Sequence, residues 1–419
     1  MEKINIAYMM GGGATSVMNL AILGIYDEAK NNDQIGKVLG IWDGTEGLVY
    51  DKLFRNSVDI LNFDRKKLKK ITNSPGAALR SGRRLPSKKD IIKMLKRLKD
   101  NKLKYLLYNG GNGTAYILSK IIKIAKSKGY DDLNFIHIPK TIDNDIKRTY
   151  FCPGYGTSAK KVALEAMNLR YSFNSSPGIA VFVTMGRNAG WLAAASSAGE
   201  PDLIYLPERP ISIRRLCKQI IAKHVENLAK GQGTVVCVSE GIVDENGKHY
   251  AQIAREELQA TRLSDEQMYT PRLSSAPLDF FLKRKIKDEL FELENLDSFD
   301  TKVRATTLGY AQRENLEIIS IPDRDSAYNV GRYAVKYALQ GKTNIMVSIK
   351  QSNKPKKCKK ILSIKNGQPF VPERLAQIQC YENLWEYEPV PLAEAANFKE
   401  DKVIEKKLPD KYINSNGNN

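Results

Sequence analysis

One pattern limits what this chain can fold into more than any other: an apolar run that ends in glycine and passes into an amphipathic run, met again and again. INIAYMM (4–10) ends in GGGATS, and VMNLAILGIYDEAKNN (17–32) then reads as a helix. KYLLYNGG (104–111) leads into the helical GTAYILSKIIKIAKSKG, and LNFIHIPK (133–140) follows as a third strand. Further on, GIAVFVTMGR (178–187) and GTVVCVSEG (233–241) flank the helical RRLCKQIIAKHVENLAK (214–230). DSAYNVGRYAVKYALQGK (325–342) is a helix with Gly341 placed to cap it, and NIMVSIK (344–350) is its strand. Strand, glycine loop, helix, strand predicts an α/β chain with mainly parallel sheets. Ligands then gather at the carboxyl ends of the strands.

Composition narrows the class. The 419 residues fit two medium domains, and 42% hydrophobic residues support a real core. No run approaches twenty apolar residues, which predicts no membrane span, and MEKINIAYMM does not read as a signal peptide. The five cysteines are far apart without CxxC spacing, as expected of reduced thiols in a cytoplasm. Net charge is +19, but the lysines are spread over the whole chain with no nucleic-acid-binding motif. A solvated basic surface and an anionic small substrate are expected, and no nucleic-acid partner. DKYINSNGNN at the end reads as a polar, frayed tail.

The densest chemistry is PKTIDNDI (139–146). Asp143 and Asp145 stand two apart beside Thr141 and Lys140, and in an extended segment such positions share a face. A turn would use the same residue types. MGRNAGW (185–191) places Arg187 after a strand, where its planar fork suits phosphate. VSEG (238–241) offers Glu240 to sugar hydroxyls, LGYAQR (308–313) puts Tyr310 and Arg313 three apart, on one face if the segment is helical, and ALRSGRR (78–84) adds arginines after a Pro-Gly turn. Singly each has an ordinary structural use. Jointly they describe two phosphate-binding regions with a carboxylate between them, the arrangement needed for phosphoryl transfer to a sugar phosphate.

In this order, GGGATSVMN, GAALRSGR, YNGGNGT, PKTIDNDI, MGRNAG, SEG, RATTLGYAQR and DRDSAYNVGRYAV resemble the phosphofructokinase family over most of the chain. YNGGN, PKTIDND, CPGYGTSAK and MGRNAGWLAAA lean toward its bacterial pyrophosphate-using branch. The resemblance implies two interlocked Rossmann-like domains. Residues 1–150 with about 314–350 would bind the phosphoryl donor, 151–313 with about 351–400 would bind fructose 6-phosphate, and 401–419 would form the tail. It implies Asp143 as the base on the C1 hydroxyl, with Lys140 and Arg187 assisting. Thr141, Ile142, Asp143, Met185, Gly186, Arg187, Glu240, Tyr310 and Arg313 would contact the sugar phosphate, with Arg304 arriving from a neighbouring subunit of a homodimer or homotetramer. Gly12, Gly13, Arg83, Gly110, Gly111, Asn112, Gly113 and Lys140 would hold the donor. Asn112 and Asp145 would organise Mg²⁺.

Several positions depart from the family pattern. Asn112 stands where many members carry Asp. Gly178 stands where ATP-using bacterial members place an arginine, and Glu314 and Asn315 replace the two glycines usual after QR. Gly113 lacks the Asp that excludes ATP, whereas Lys140 marks pyrophosphate users. The branch resemblance favours pyrophosphate, with ATP as the alternative. A non-catalytic sugar-phosphate sensor is a weaker reading, because Asp143, Arg187 and Arg313 are all present.

Overall fold

The computed structural model describes residues 3–82, 84–257, 278–292, 302–351 and 385–395, with 398–399, 402–403 and 407–408. Two sheets carry the architecture. The larger comprises β1 (Ile4–Met10), β2 (Ile35–Ile41), β3 (Val58–Asp59), β4 (Tyr105–Gly110), β5 (Asn134–Pro139), β10 (Ile345–Gln351) and β11 (Trp385–Pro391), in the order β11-β10-β5-β4-β1-β2-β3. Its five inner strands run parallel, and β3 and β11 close the edges antiparallel. The smaller sheet is wholly parallel: β7 (Leu203–Tyr205), β8 (Thr234–Ser239), β6 (Ile179–Thr184) and β9 (Val303–Thr307), in that order.

Burial explains the strands. β4, β6 and β8 are buried along their whole length, as parallel strands covered on both faces must be. The helix Leu20–Lys30 starts three residues later than the apolar pattern predicts, because Val17 to Asn19 form a turn. It packs on the helix Ile321–Leu339 so closely that a Cβ on Gly24 would strike the Tyr328 carbonyl, and one on Gly331 the Ala21 carbonyl. That second helix begins at Ile321, earlier than expected, with Ser320 as its cap and a proline in its first turn.

One assignment changes. Residues 385–391 were expected with the second unit, yet β11 pairs antiparallel with β10 in the first sheet. The tail beyond 408 lies outside the described residues.

Candidate active site

In the larger sheet the chain winds outward in opposite directions from β1 and β4. The crevice between their carboxyl ends is the switch point where such sheets bind ligands. β1 delivers Gly11 to Gly13 there and β4 delivers Gly110 to Gly113. Gly11 N–H donates to the Asn109 carbonyl at 2.8 Å, Ser81 Oγ donates to the Gly12 carbonyl at 2.7 Å, and Gly11 bridges Gly82. Arg83, next in line, lies outside the described residues. The helix Asn112–Ser127 starts from Gly111 with no side-chain cap, leaving its first N–H groups for an anion. A Cβ on Gly113 would meet nothing within 4 Å.

Lys140 follows β5 and is 3% exposed. Its Nζ donates to the Gly11 carbonyl at 3.1 Å and the Gly13 carbonyl at 2.6 Å. It therefore ties the β1 loop to the end of β5. The segment after it is a turn and not extended chain: Asn144 takes φ +52°, so Asp143 and Asp145 are not aligned by a strand pleat. Thr141 Oγ1 accepts from Asp143 N–H at 3.2 Å, Asn144 Oδ1 accepts from Cys152 N–H at 3.0 Å, and Thr141 N–H donates to Pro153 at 3.2 Å. The turn is thus zipped to residues 152–154. Ile142 and Met185, both expected at the sugar, have side chains packed in the core.

Asn112 and Asp145 come together, with Asn112 Nδ2 donating to the Asp145 carbonyl at 3.4 Å. Asn112 Oδ1 is buried without a hydrogen-bond partner. No group of three or more His, Cys, Asp or Glu suited to a metal occurs among the described residues. The donor set fits a magnesium ion that takes few protein ligands and completes its shell with water and phosphate oxygens.

The smaller sheet supplies the opposite wall. After β6, Met185 N–H donates to Gln312 Oε1 at 3.0 Å, and the Gly186 carbonyl accepts from Ser239 Oγ at 2.6 Å. Gly241 lies against the Arg187 carbonyl with no room for a Cβ. Burial pushes the Glu240 carboxyl up to about 7, against the pull of a Gly186 backbone bond and of Arg187's charge. Burial, then the same arginine, lowers His249 below the usual histidine range.

After β9, Gly309–Gln312 forms a short 3₁₀ turn that sets the Arg313 guanidinium 4.5 Å from the Tyr310 ring centre. Arg313 bridges the two walls. Its carbonyl accepts from Ser16 N–H at 3.1 Å, and a Cβ on Gly13 would sit 2.7 Å from its Nη1. Nη2 pairs with Glu314 at 2.8 Å, and Nε is buried without a partner. Arg304 is exposed within β9 and does not join this cluster. Gln312, Ser16, Ser239 and Gly241 were not singled out from the sequence, although all four sit inside the motifs GGGATSVMN, SEG and LGYAQR. Their neighbours in QR and SEG were the available signal.

Two sets of strand-end loops, with a carboxylate turn and arginines between them, define an α/β enzyme site for phosphorylated small molecules. The phosphofructokinase family model matches residues 5–338, and the chain belongs to that family. It is a phosphotransferase of the 6-phosphofructokinase type. The pyrophosphate–fructose 6-phosphate 1-phosphotransferase of Rhodospirillum rubrum is 32% identical over 83% of both chains. The protein of the same name from Xanthomonas campestris pv. campestris is 30% identical over 100% of this chain and 88% of its own. The crystal structure of a pyrophosphate-dependent phosphofructokinase from Marinobacter aquaeolei superposes with a TM-score of 0.73 at 26% identity, covering 99% of this chain and 88% of that one.

Proposed function

We propose that the protein transfers a phosphoryl group from pyrophosphate to the C1 hydroxyl of fructose 6-phosphate in the cytoplasm, serving glycolysis and gluconeogenesis. The observation that carries the donor is kinship with the Xanthomonas enzyme over the whole chain and with the Rhodospirillum enzyme over 83% of it. The larger sheet's loops hold the donor, and the loops of the smaller sheet hold the sugar phosphate. The C1 oxygen bonds to phosphorus as the bridging P–O bond breaks, and Asp143 takes the hydroxyl proton. Arg187 stabilises the charge on the moving phosphoryl group, Glu240 and Thr141 orient the sugar, and Tyr310 with Arg313 hold its 6-phosphate. Positioning and charge neutralisation supply most of the rate in this chemistry. Asn112 and Asp145 would hold Mg²⁺, which neutralises phosphate charge when bound. Arg304, exposed on an edge strand, serves a neighbouring copy in a homodimer or homotetramer.

ATP is the second reading, favoured by the open space at Gly113. The test is initial-rate kinetics with pyrophosphate and with ATP, on wild type and Gly113→Asp. The wild type is expected to turn over with pyrophosphate. A carboxylate at 113 would face the α-phosphate of ATP, and two unit charges about 4 Å apart near a protein surface repel by roughly 4 kcal/mol. Any ATP use should therefore fall about a thousandfold while pyrophosphate use persists. Turnover with ATP alone would establish the second reading, and no product with either donor would sink both.

A further inference from the structure

We infer that Asp323 is a positioning residue for catalysis, holding the Thr141–Asp143 turn in place through Gly154. The inference rests on the reading of Asp143 as the base. Asp323 lies in the helix Ile321–Leu339 and is fully buried. Its Oδ1 accepts from Gly154 N–H at 2.7 Å, and its Oδ2 accepts from Thr157 N–H at 3.0 Å and Thr157 Oγ1 at 2.7 Å. These donors are the N-terminus of the helix Tyr155–Ser175, whose N-cap residue, Gly154, has no side chain with which to cap it. A carboxylate from a helix 166 or more residues away does so instead. Ser320 N–H completes the junction by donating to Thr157 Oγ1 at 3.2 Å.

Gly154 is where this cap meets the site. It takes φ +107°, open to glycine, and a Cβ there would lie 2.8 Å from Thr15 Cγ2 in the donor loop. It forms a parallel bridge with Thr141, and its neighbour Pro153 accepts from Thr141 N–H. Thr141 Oγ1 in turn accepts from Asp143 N–H. Three short links therefore run from the buried carboxylate to the base, through Asp323, Gly154, Thr141 and Asp143. Charge-assisted bonds to a buried carboxylate are strong and directional, and a displacement of about 1 Å at a reacting group is enough for a hundredfold loss.

The test compares Asp323→Asn with Ala166→Gly, which weakens the same helix at a buried position away from Gly154. The amide keeps the shape but turns an N–H₂ toward donors. Asp323→Asn is expected to lower kcat at least tenfold with KM for the donor within twofold, at a temperature where it is folded by circular dichroism. Ala166→Gly is expected to lose thermal stability and keep kcat. Parallel kcat losses in the two variants, or an unchanged kcat in Asp323→Asn, would overturn the inference. Should Asp323→Asn not fold, Thr157→Val removes one of the three bonds. A threefold loss of kcat there supports the inference, and an unchanged kcat overturns it. Asp143→Ala is assayed alongside. An active Asp143→Ala sinks the base, whereas a silent Asp323→Asn beside an inactive Asp143→Ala sinks only the positioning role.

Discussion

Replacing Gly13 by Ala tests whether Arg313 serves the sugar phosphate from a seat shared with the donor loop. The new Cβ would lie 2.7 Å from Arg313 Nη1 and 3.4 Å from Cζ. Carbon and nitrogen need several tenths of an ångström more, so something must move. The Gly13 carbonyl is held by Lys140 Nζ at 2.6 Å, so the guanidinium is the softer partner. Its freedom is limited: the Tyr310 ring stacks on it, Glu314 pairs with it, and the Arg313 carbonyl is held by Ser16. The displaced fork would lose a charge-assisted phosphate bond worth about 1.5–3 kcal/mol, equivalent to roughly a ten- to hundredfold rise in KM for fructose 6-phosphate. Steady-state assay of fructose 1,6-bisphosphate formation measures this. Because Gly13 also belongs to the donor loop, the decisive form is a double-mutant cycle with Arg313→Ala. The Gly13→Ala effect on sugar-phosphate KM should nearly vanish in that background. Full additivity, or a rise confined to donor KM, would refute the shared seat.

Glu240→Gln tests the half-buried carboxyl. Its folded value of about 7 lies above the ordinary 4.5, so the wild type loses stability as pH rises from 4.5 through about 7. The loss is at most about 3.5 kcal/mol. Melting curves of wild type and Glu240→Gln should agree near pH 4 and separate by pH 8 with the variant higher; equal melting points at pH 8 would contradict the shift. Glu314→Gln should free Arg313 from its partly exposed carboxylate partner and lower KM for fructose 6-phosphate by up to about fivefold. An unchanged or raised KM counts against competition between Glu314 and the 6-phosphate. Lys140→Gly should not convert donor preference. It strips the donor from two loop carbonyls, so activity with either donor and the thermal midpoint should both drop, by roughly 1–3 kcal/mol in stability. A stable variant that gains ATP use would show that Lys140 selects the donor directly.

Much of the fold was legible because buried parallel strands leave continuous apolar runs. INIAYMM is β1 residue for residue, and IAVFVT and TVVCVS are β6 and β8. β11 was misplaced for the opposite reason. WEYEPVP is a half-exposed edge strand with two prolines and no buried run, which sequence patterning cannot separate from loop. In the site, Gly, Asp and Arg at strand ends were legible because their chemistry is confined to few uses. Ile142, an isolated apolar residue in a polar turn, is held by the core. Gln312, Ser16 and Asp323 act across 127, 297 and 169 residues of sequence, joining segments that meet only in the folded chain. No local pattern encodes such partners.

These long bonds bear on a problem that any such site must solve. Two phosphate-bearing substrates repel each other, so they approach only in a cleft whose positive charges and N–H groups are already in place. A flexible cleft would forfeit that advantage by relaxing away from each ligand. Here the cationic groups are also struts. Lys140 fastens the β1 loop to β5, and Arg313 lies on Gly13 while its own backbone is pinned by Ser16. Gln312 fixes the corner that carries Arg187, and Asn315 N–H donates to Ser16 Oγ at 2.7 Å. The loop after β1 and the turn after β9 are therefore one hydrogen-bonded unit across the two sheets. Glu314 sits on that unit and pairs with the arginine. A substitution in either wall should consequently register in the KM values of both substrates, and donor and acceptor binding should be thermodynamically coupled.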